Sequence, residues 1–230
     1  MNFIVKITTV LNPLDLLAPH SCRGCGRLGG VLCDCCKKHI ISAKNDLCPI
    51  CKSKLKCHRC PECKNLPPIF YIGERKDLLA TLVHDFKYDS VRTIGVKFAE
   101  ILNETLPKKL PKNSILVPLP TSTKHIRERG FDHTLFITKR LAKMRNLKLK
   151  ELLLRARNTV QVGTDKRTRE SQANSAYAIN PKVNIDQSAT YILFDDVWTT
   201  GASMQAALKK LREAGAKNFI IVLLAVNRLD

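Results

Sequence analysis

The chain has 230 residues, 44% of them apolar and 26% charged, a composition of folded proteins with room for one full core plus an appendage. Its charge is lopsided: 39 Lys and Arg face 20 Asp and Glu, a net of +19, and a surplus of that size points to a polyanionic partner, nucleic acid ahead of a membrane surface or a phosphorylated ligand. No apolar run is long enough to span a bilayer and no signal-peptide pattern is present, so a cytoplasmic protein with reduced thiols is expected.

Met1–Pro19, a mildly apolar stretch interrupted by Lys6 and Asp15, reads as a short amphipathic lead-in helix rather than a signal peptide. All ten cysteines follow, between Cys22 and Cys63. Eight of them pair as Cys22-x2-Cys25, Cys33-x2-Cys36, Cys48-x2-Cys51 and Cys60-x2-Cys63, which is enough thiolate for two tetrahedral Zn²⁺ sites. Similar gaps within each half favour sequential sites, Cys22/Cys25/Cys33/Cys36 and Cys48/Cys51/Cys60/Cys63. Interleaved pairing stays open, Cys35 and Cys57 compete as ligands, and an iron–sulfur cluster is the rival occupant. Such a module is too short to bury a core, so metal would supply its folding energy. Arg23, Arg27, Lys52, Arg59 and Lys64 are among the basic residues that interleave the thiols, which suits nucleic acid, although aromatic residues for stacking are scarce. A purely structural zinc module fits equally.

The cysteines stop at Asn65-Leu66-Pro67-Pro68, which predicts two domains, 1–66 and 67–230. Beyond it, Ile69–Gly73 is a strand candidate, and helical periodicity covers Asp77–Tyr88 and Val91–Leu106. Ser114–Leu119 is a short apolar run suited to a buried parallel strand. A basic segment, Thr121–Gly130, leads to a helix over His133–Arg145. After Leu152–Leu154, the polar stretch Arg157–Ser175 lacks periodicity and reads as a mobile loop. A β-loop-α-β unit closes the chain: strand Thr190–Phe194, helix Ser203–Ala214 ended by Gly215, strand Phe219–Val226. Alternation of this kind predicts an α/β fold with a doubly wound parallel sheet.

Ligands of such sheets bind beyond the carboxyl ends of the strands. There the sequence places Asp195-Asp196, Val197-Trp198 and Thr199-Thr200-Gly201-Ala202-Ser203. Gly201 allows a tight turn with exposed amides, and the following helix aims its free N–H groups at the same spot. Thr199, Thr200 and Ser203 add hydroxyls. The result is a cradle for a dianionic phosphate. The two carboxylates would repel that phosphate unless they address another part of the ligand, and the vicinal hydroxyls of a ribose fit.

The segment Tyr191–Ser203 resembles the thirteen-residue loop of type I phosphoribosyltransferases, which bind phosphoribosyl diphosphate (PRPP). The resemblance implies that Asp195 and Asp196 contact the ribose hydroxyls and count as catalytic candidates. It implies that Thr199, Thr200, Gly201, Ala202 and Ser203 wrap the 5-phosphate, with Val197 counted beside them as PRPP-binding and Mg²⁺ bridging the diphosphate. Lys87, in Asp85-Phe86-Lys87-Tyr88, is a further ligand-side candidate. Trp198 is bulky for such a loop.

Two basic segments narrow the family. Arg127-Glu128-Arg129-Gly130-Phe131-Asp132-His133 follows the first inner strand, and Lys166-Arg167-Thr168-Arg169 lies in the polar stretch. From Lys124 to Glu170 there are 14 Lys and Arg against 5 Asp and Glu. That surplus could neutralise the diphosphate of PRPP or a nucleic-acid backbone. Arg127 and Arg129 read as loop residues and as candidates for either ligand, and Lys166, Arg167 and Arg169 as DNA contacts. With Pro118-Leu119-Pro120 and the cysteine-rich N-terminus, the chain is similar over nearly its whole length to the ComF family of competence proteins (the ComFC type). The family more often has Asn-Gln where this chain has Asp132-His133. The resemblance implies a DNA-uptake factor of natural transformation that handles single-stranded DNA beside other DNA-uptake proteins and carries a PRPP site. The alternative is an active phosphoribosyltransferase that moves phosphoribosyl from PRPP to a nitrogen acceptor with release of diphosphate. No acceptor-binding element is evident.

Overall fold

The computed structural model describes residues 20–42, 46–89, 91–155 and 176–227. The expected lead-in helix and the Arg157–Ser175 stretch, with Lys166, Arg167 and Arg169, lie outside the described residues.

Five strands form a parallel sheet. They are β1 (Ile69–Glu74), β2 (Ser114–Pro118), β3 (Lys148–Leu149), β6 (Thr190–Trp198) and β7 (Asn218–Val226), in the spatial order β1-β7-β6-β2-β3. The inner strands read SILVP, TYILFDDVW and NFIIVLLAV, and nearly every residue in them is buried, because helices cover both faces and leave no polar side to alternate with. One face packs on α2 (Asp77–Tyr88), α3 (Arg92–Thr105) and α5 (His133–Arg145) through Leu82, Phe86, Phe98, Leu102, Ile137 and Leu141. The other packs on α6 (Ala202–Glu213) through Ala207, Leu208 and Leu211, and on a two-stranded antiparallel ribbon of β4 (Leu153–Arg155) and β5 (Tyr177–Ile179). This is the α/β fold expected, a parallel sheet covered by helices on both faces, with a cysteine-rich, zinc-ribbon-like module at its N-terminal end.

The cysteine module seals the edge strand β1, which would otherwise expose unpaired backbone. Its helix α1 (Asp34–Ser42), which no sequence signal pointed to, sits against β1, and Val31, Leu32 and Ile40 join the core on that face. Leu55, Cys48 and Cys60 join the core on the opposite face. The Tyr71 hydroxyl donates to the Leu47 carbonyl at 2.8 Å and accepts from the Leu47 amide at 3.2 Å. Arg23 pairs with the buried Asp85 of α2 at 2.7 Å, and Lys37 with Glu104 at 2.8 Å.

Two expectations are corrected. Arg127 and Arg129 are not in a loop: they form the last turn of a short helix, α4 (Thr123–Arg129). Ser122 caps its start by accepting from the His125 amide, and Gly130, in the left-handed region at φ 74°, ends it. Seven residues are too few to show an apolar stripe. Strand β6, expected to stop at Phe194, runs on to Trp198, because β7 continues to pair with it through Asp195, Val197 and Trp198. The acidic pair therefore sits on a strand.

Candidate functional site

The site forms where β2 leaves the sheet. β2 ends at Pro118, opposite Phe194, while β6 extends four residues further with β7 on its other side. The gap beside Asp195-Asp196 is filled by α4 and the start of α5. Strand alternation sends the two carboxylates to different sides, and their backbones tie them down: Asp195 Oδ1 accepts from the Asp196 amide at 2.8 Å, and Asp196 Oδ1 from the Val197 amide at 2.6 Å.

Asp196 is buried and held by three elements. Its Oδ2 meets Lys87 Nζ of α2 at 2.5 Å and His133 Nε2 of α5 at 2.6 Å. Arg129 of α4 lies behind His133, with Nη1 3.0 Å from Nδ1. A guanidinium can only donate, so Nδ1 accepts and the ring proton sits on Nε2, where it donates to Asp196. Burial opposes the charge on Asp196, but the His133 hydrogen bond and the Lys87 ammonium outweigh it and hold its carboxyl below the ordinary range. Asp195 is displaced the other way: burial, then the neighbouring Asp196 charge, push its carboxyl well above that range. One carboxylate is thus locked charged and the other is left short of positive partners, an arrangement ready for an incoming cation or hydroxyl donors.

The turn that follows is shaped by Trp198. Its ring is buried beneath Gly201, where an added Cβ would come within 2.3 Å of Trp198 Cζ2. Gly201 has φ 77°, which a side chain also disfavours. The bulky indole is therefore the floor that raises the Thr199–Gly201 backbone, and only glycine clears it. Helix α6 starts at the next residue, so its first amides and positive dipole end face the recess lined by Asp195, Thr199, Thr200, Gly201 and Ser203. The Ala202 amide donates to Thr200 Oγ1 at 3.3 Å. Tyr177 of β5 lies near Ser203 and feels the Asp195 charge, and β5 packs against α6.

Of the expected ligand residues, the structure brings Lys87, Arg129, Asp195, Asp196 and the Val197–Ser203 turn to one end of the sheet. Arg127 is exposed on the outer side of α4, and Arg129 is buried against His133 with its guanidinium 5.2 Å from the centre of the Tyr88 ring. Asp132 caps α5, accepting from the Leu135 amide at 3.0 Å and the Thr134 hydroxyl at 2.8 Å. The sequence reading missed His133 and Tyr177. A histidine on an apolar helix face and a tyrosine at the end of a polar stretch carry no local signal of a site.

The eight paired cysteines gather into the two sequential groups, with all four sulfurs of each group within 4.8 Å of one another. Cys22 and Cys25 each lie 3.7 Å from Cys33, Cys51 lies 3.3 Å from Cys60 and Cys48 4.0 Å from Cys63. A tetrahedral Zn²⁺ with Zn–S of about 2.3 Å needs sulfurs roughly 3.8 Å apart. Both groups could hold structural zinc. Amides of Cys36 and Cys63 point at the sulfurs of Cys33 and Cys60, the support a thiolate cage needs. Cys35 and Cys57 are exposed and stand outside both groups.

Among the described residues no helix is long and apolar enough to cross a membrane. No family model matches the chain. It is 24% identical over 196 residues to competence protein ComFC of Bacillus subtilis, covering 80% of this chain and 79% of that protein. It is 25% identical over 215 residues to competence protein F of Haemophilus influenzae, covering 80% and 92%. These relatives bear out the ComF resemblance seen in the motifs. Among solved structures it is similar to the glutamine PRPP amidotransferase of Bacillus subtilis, at 13% identity and TM-score 0.44 over 61% of this chain and 30% of that one. It is also similar to a hypoxanthine phosphoribosyltransferase from Staphylococcus aureus, at 11% identity and TM-score 0.34 over 63% and 69%.

Proposed function

We propose, from its likeness to the ComF competence proteins, that this chain is a cytoplasmic factor of natural transformation that handles single-stranded DNA and binds PRPP. The observation that carries the PRPP half is the Gly201 turn. A left-handed glycine over a buried indole, at the mouth of a helix and beside two carboxylates in opposite electrostatic states, suits one ligand with a phosphate at one end and hydroxyls at the other. In this reading Thr199, Thr200, Gly201, Ala202 and Ser203 hold the 5-phosphate, Asp195 and Asp196 the ribose, and Lys87 the diphosphate. Mg²⁺ would accompany the diphosphate and offset the repulsion of the carboxylate pair, and Asp195, whose charged form burial and the Asp196 charge disfavour, is the carboxyl such a cation would relieve. Lys87 would then exchange Asp196 for phosphate oxygens.

The DNA half rests on the net charge of +19 and on exposed cations such as Arg127. The cysteine module, with one zinc in each group, is read as residues 1–66 and the phosphoribosyltransferase-like unit as 67–230. Alanine at both Asp195 and Asp196 tests the whole: PRPP binding, DNA binding and transformation frequency are measured together. Lost transformation with DNA binding intact means the sugar-phosphate site governs function. Unchanged transformation with PRPP binding abolished contradicts the proposal.

The second reading, an active phosphoribosyltransferase, is favoured by Tyr177 of β5, which lies near Ser203 and Asp195 and adds an aromatic wall beside the turn. Diphosphate release from PRPP in the presence of a nitrogen acceptor supports it. Silence across nucleobases, ammonia and amines leaves a binding site.

A further inference from the structure

A cleft of about 720 Å³ lies at the amino end of the sheet, remote from the phosphate turn. Thr190 and Asn218, which open β6 and β7, form one wall, and the Lys56–Arg59 turn between Cys51 and Cys60 forms the other. β6 has nine residues, so the cleft and the turn are separated by the sheet's length, roughly 25–30 Å.

The cleft carries one sign of charge. Arg59, Lys64, Arg212 and Lys217 line it from three separate parts of the chain, all are exposed, and no Asp or Glu lines it. Arg59, Lys64 and Lys217 have no carboxylate partner among the described residues. Arg212 stands 5.5 Å from the centre of the Phe219 ring and donates to the Asn65 carbonyl at 3.3 Å. A merely solvated face would intersperse counter-charges.

It also carries a stacking platform. The exposed His58 ring lies 4.0 Å from the Phe70 ring, 30° from parallel. A two-residue turn holds it there: the Lys56 amide donates to Arg59 O at 2.8 Å, the Arg59 amide to Lys56 O at 2.9 Å, and the Ile69 amide to His58 O at 2.8 Å. Both central residues, Cys57 and His58, adopt left-handed backbone (φ 49° and 62°), a geometry usually left to Asn and Gly. Strain of this kind collects where a side chain must be presented in a set direction.

A second cleft, of about 520 Å³, adjoins the first through the shared residues Lys64, Asn65, Leu66 and Arg212. It follows α6 to Gln205, one turn from Gly201, with Glu62 as the acid on its rim. The two recesses form one continuous track from the amino end of the sheet towards the phosphate turn.

We propose that this track is the path of a single-stranded nucleic acid, its bases stacking on His58 and its phosphates on Arg59, Lys64, Arg212 and Lys217. The inference rests on the nucleic-acid reading above and gives it a location. A platform recessed between elements is reached by unstacked bases, not by bases inside a duplex, and backbone cations beside an aromatic surface are how unspecific single-strand binders are built.

The test is fluorescence anisotropy of the full, zinc-loaded chain with a labelled oligothymidine over a range of salt. Replacing Arg59, Lys64, Arg212 and Lys217 with Gln lowers the slope of log K against log salt by about 0.7 per lost phosphate contact, roughly 3 in all. His58→Ala weakens binding about five-fold or more and leaves the slope unchanged. A charge-matched control at Lys97, Lys139, Lys143 and Lys148, on the far side of the fold, keeps the wild-type slope. If the wild type binds but track and control variants behave alike, the track is wrong. An oligonucleotide that binds no better than thymidine monophosphate also overturns it. No binding by the wild type at low salt overturns the nucleic-acid reading itself.

Discussion

His133 Nε2 lies 2.6 Å from Asp196 Oδ2, and the guanidinium of Arg129 behind it decides which ring nitrogen carries the proton. The pair joins α5 to the end of β6, so one hydrogen bond sets both the position of the Asp196 carboxylate and the closure of the β2–β6 gap. His133→Ala should cost about 2 kcal/mol by leaving buried Asp196 short of a donor, which for a chain of this size lowers Tm by roughly 4–8 °C. His133→Gln, which keeps a side-chain N–H, should recover most of the Tm and most of the PRPP affinity. Thermal melts and calorimetric titration check both. Equal loss in the two variants would mean that ring packing, not the hydrogen bond, is what matters.

Gly201→Ala should be damaging although only a methyl group is added. Both the left-handed backbone and the Trp198 ring resist it, at a cost of about 1–3 kcal/mol. PRPP affinity should fall with it, because the turn must move off the indole. Trp198→Leu in the same chain opens space and should restore part of the stability, a positive coupling that a double-mutant cycle measures.

The two carboxylates should respond to pH in opposite senses. Asp195 has a folded-state pKa above its unfolded value, so it costs no stability near pH 4 and an increasing amount as pH rises through the folded value. Asp195→Asn should therefore raise Tm at pH 8 by a few degrees, and the gain should vanish near pH 4. Asp196 has a depressed pKa, so its contribution is present above about pH 4 and is lost as pH falls further. Asp196→Asn should lower Tm at pH 7, with the deficit shrinking in acid. Melting curves of the two variants from pH 3 to 9 separate these cases, and parallel shifts at all pH values would refute the assignment.

Metal analysis of the purified chain should find two zinc ions. Cys48→Ser should reduce this to one, while Cys35→Ser and Cys57→Ser leave it at two. Because Leu55 and Cys48 belong to the core on one face of the sheet and Val31 and Leu32 to that on the other, chelation should lower the Tm of the whole chain. A melt insensitive to chelation would show that the module's packing stands without metal.

Much of this fold is legible in the chain. The runs at β2, β6 and β7 are apolar without alternation, as strands covered on both faces require, and the acidic pair followed by the hydroxyl residues around Gly201 marks the turn. What escapes local reading was decided by tertiary pairing. The carboxylates of Asp195-Asp196 look like loop residues until β7 is seen to pair past them. α4 is too short for an apolar stripe. His133 differs from a core histidine only through Asp196, 63 positions away. Trp198 looked like a misfit in a phosphate loop, and its reason lies in the ring under Gly201.

Isothermal titration of PRPP into the zinc-loaded chain with Mg²⁺, in the wild type and in the Asp195→Ala, Asp196→Ala double variant, tests the central claim most directly. Saturable one-to-one binding by the wild type and none by the variant is the predicted result. Heat of binding absent from the wild type, or equal in the two proteins, would contradict the assignment of the Asp195–Ser203 segment to a phosphoribosyl ligand.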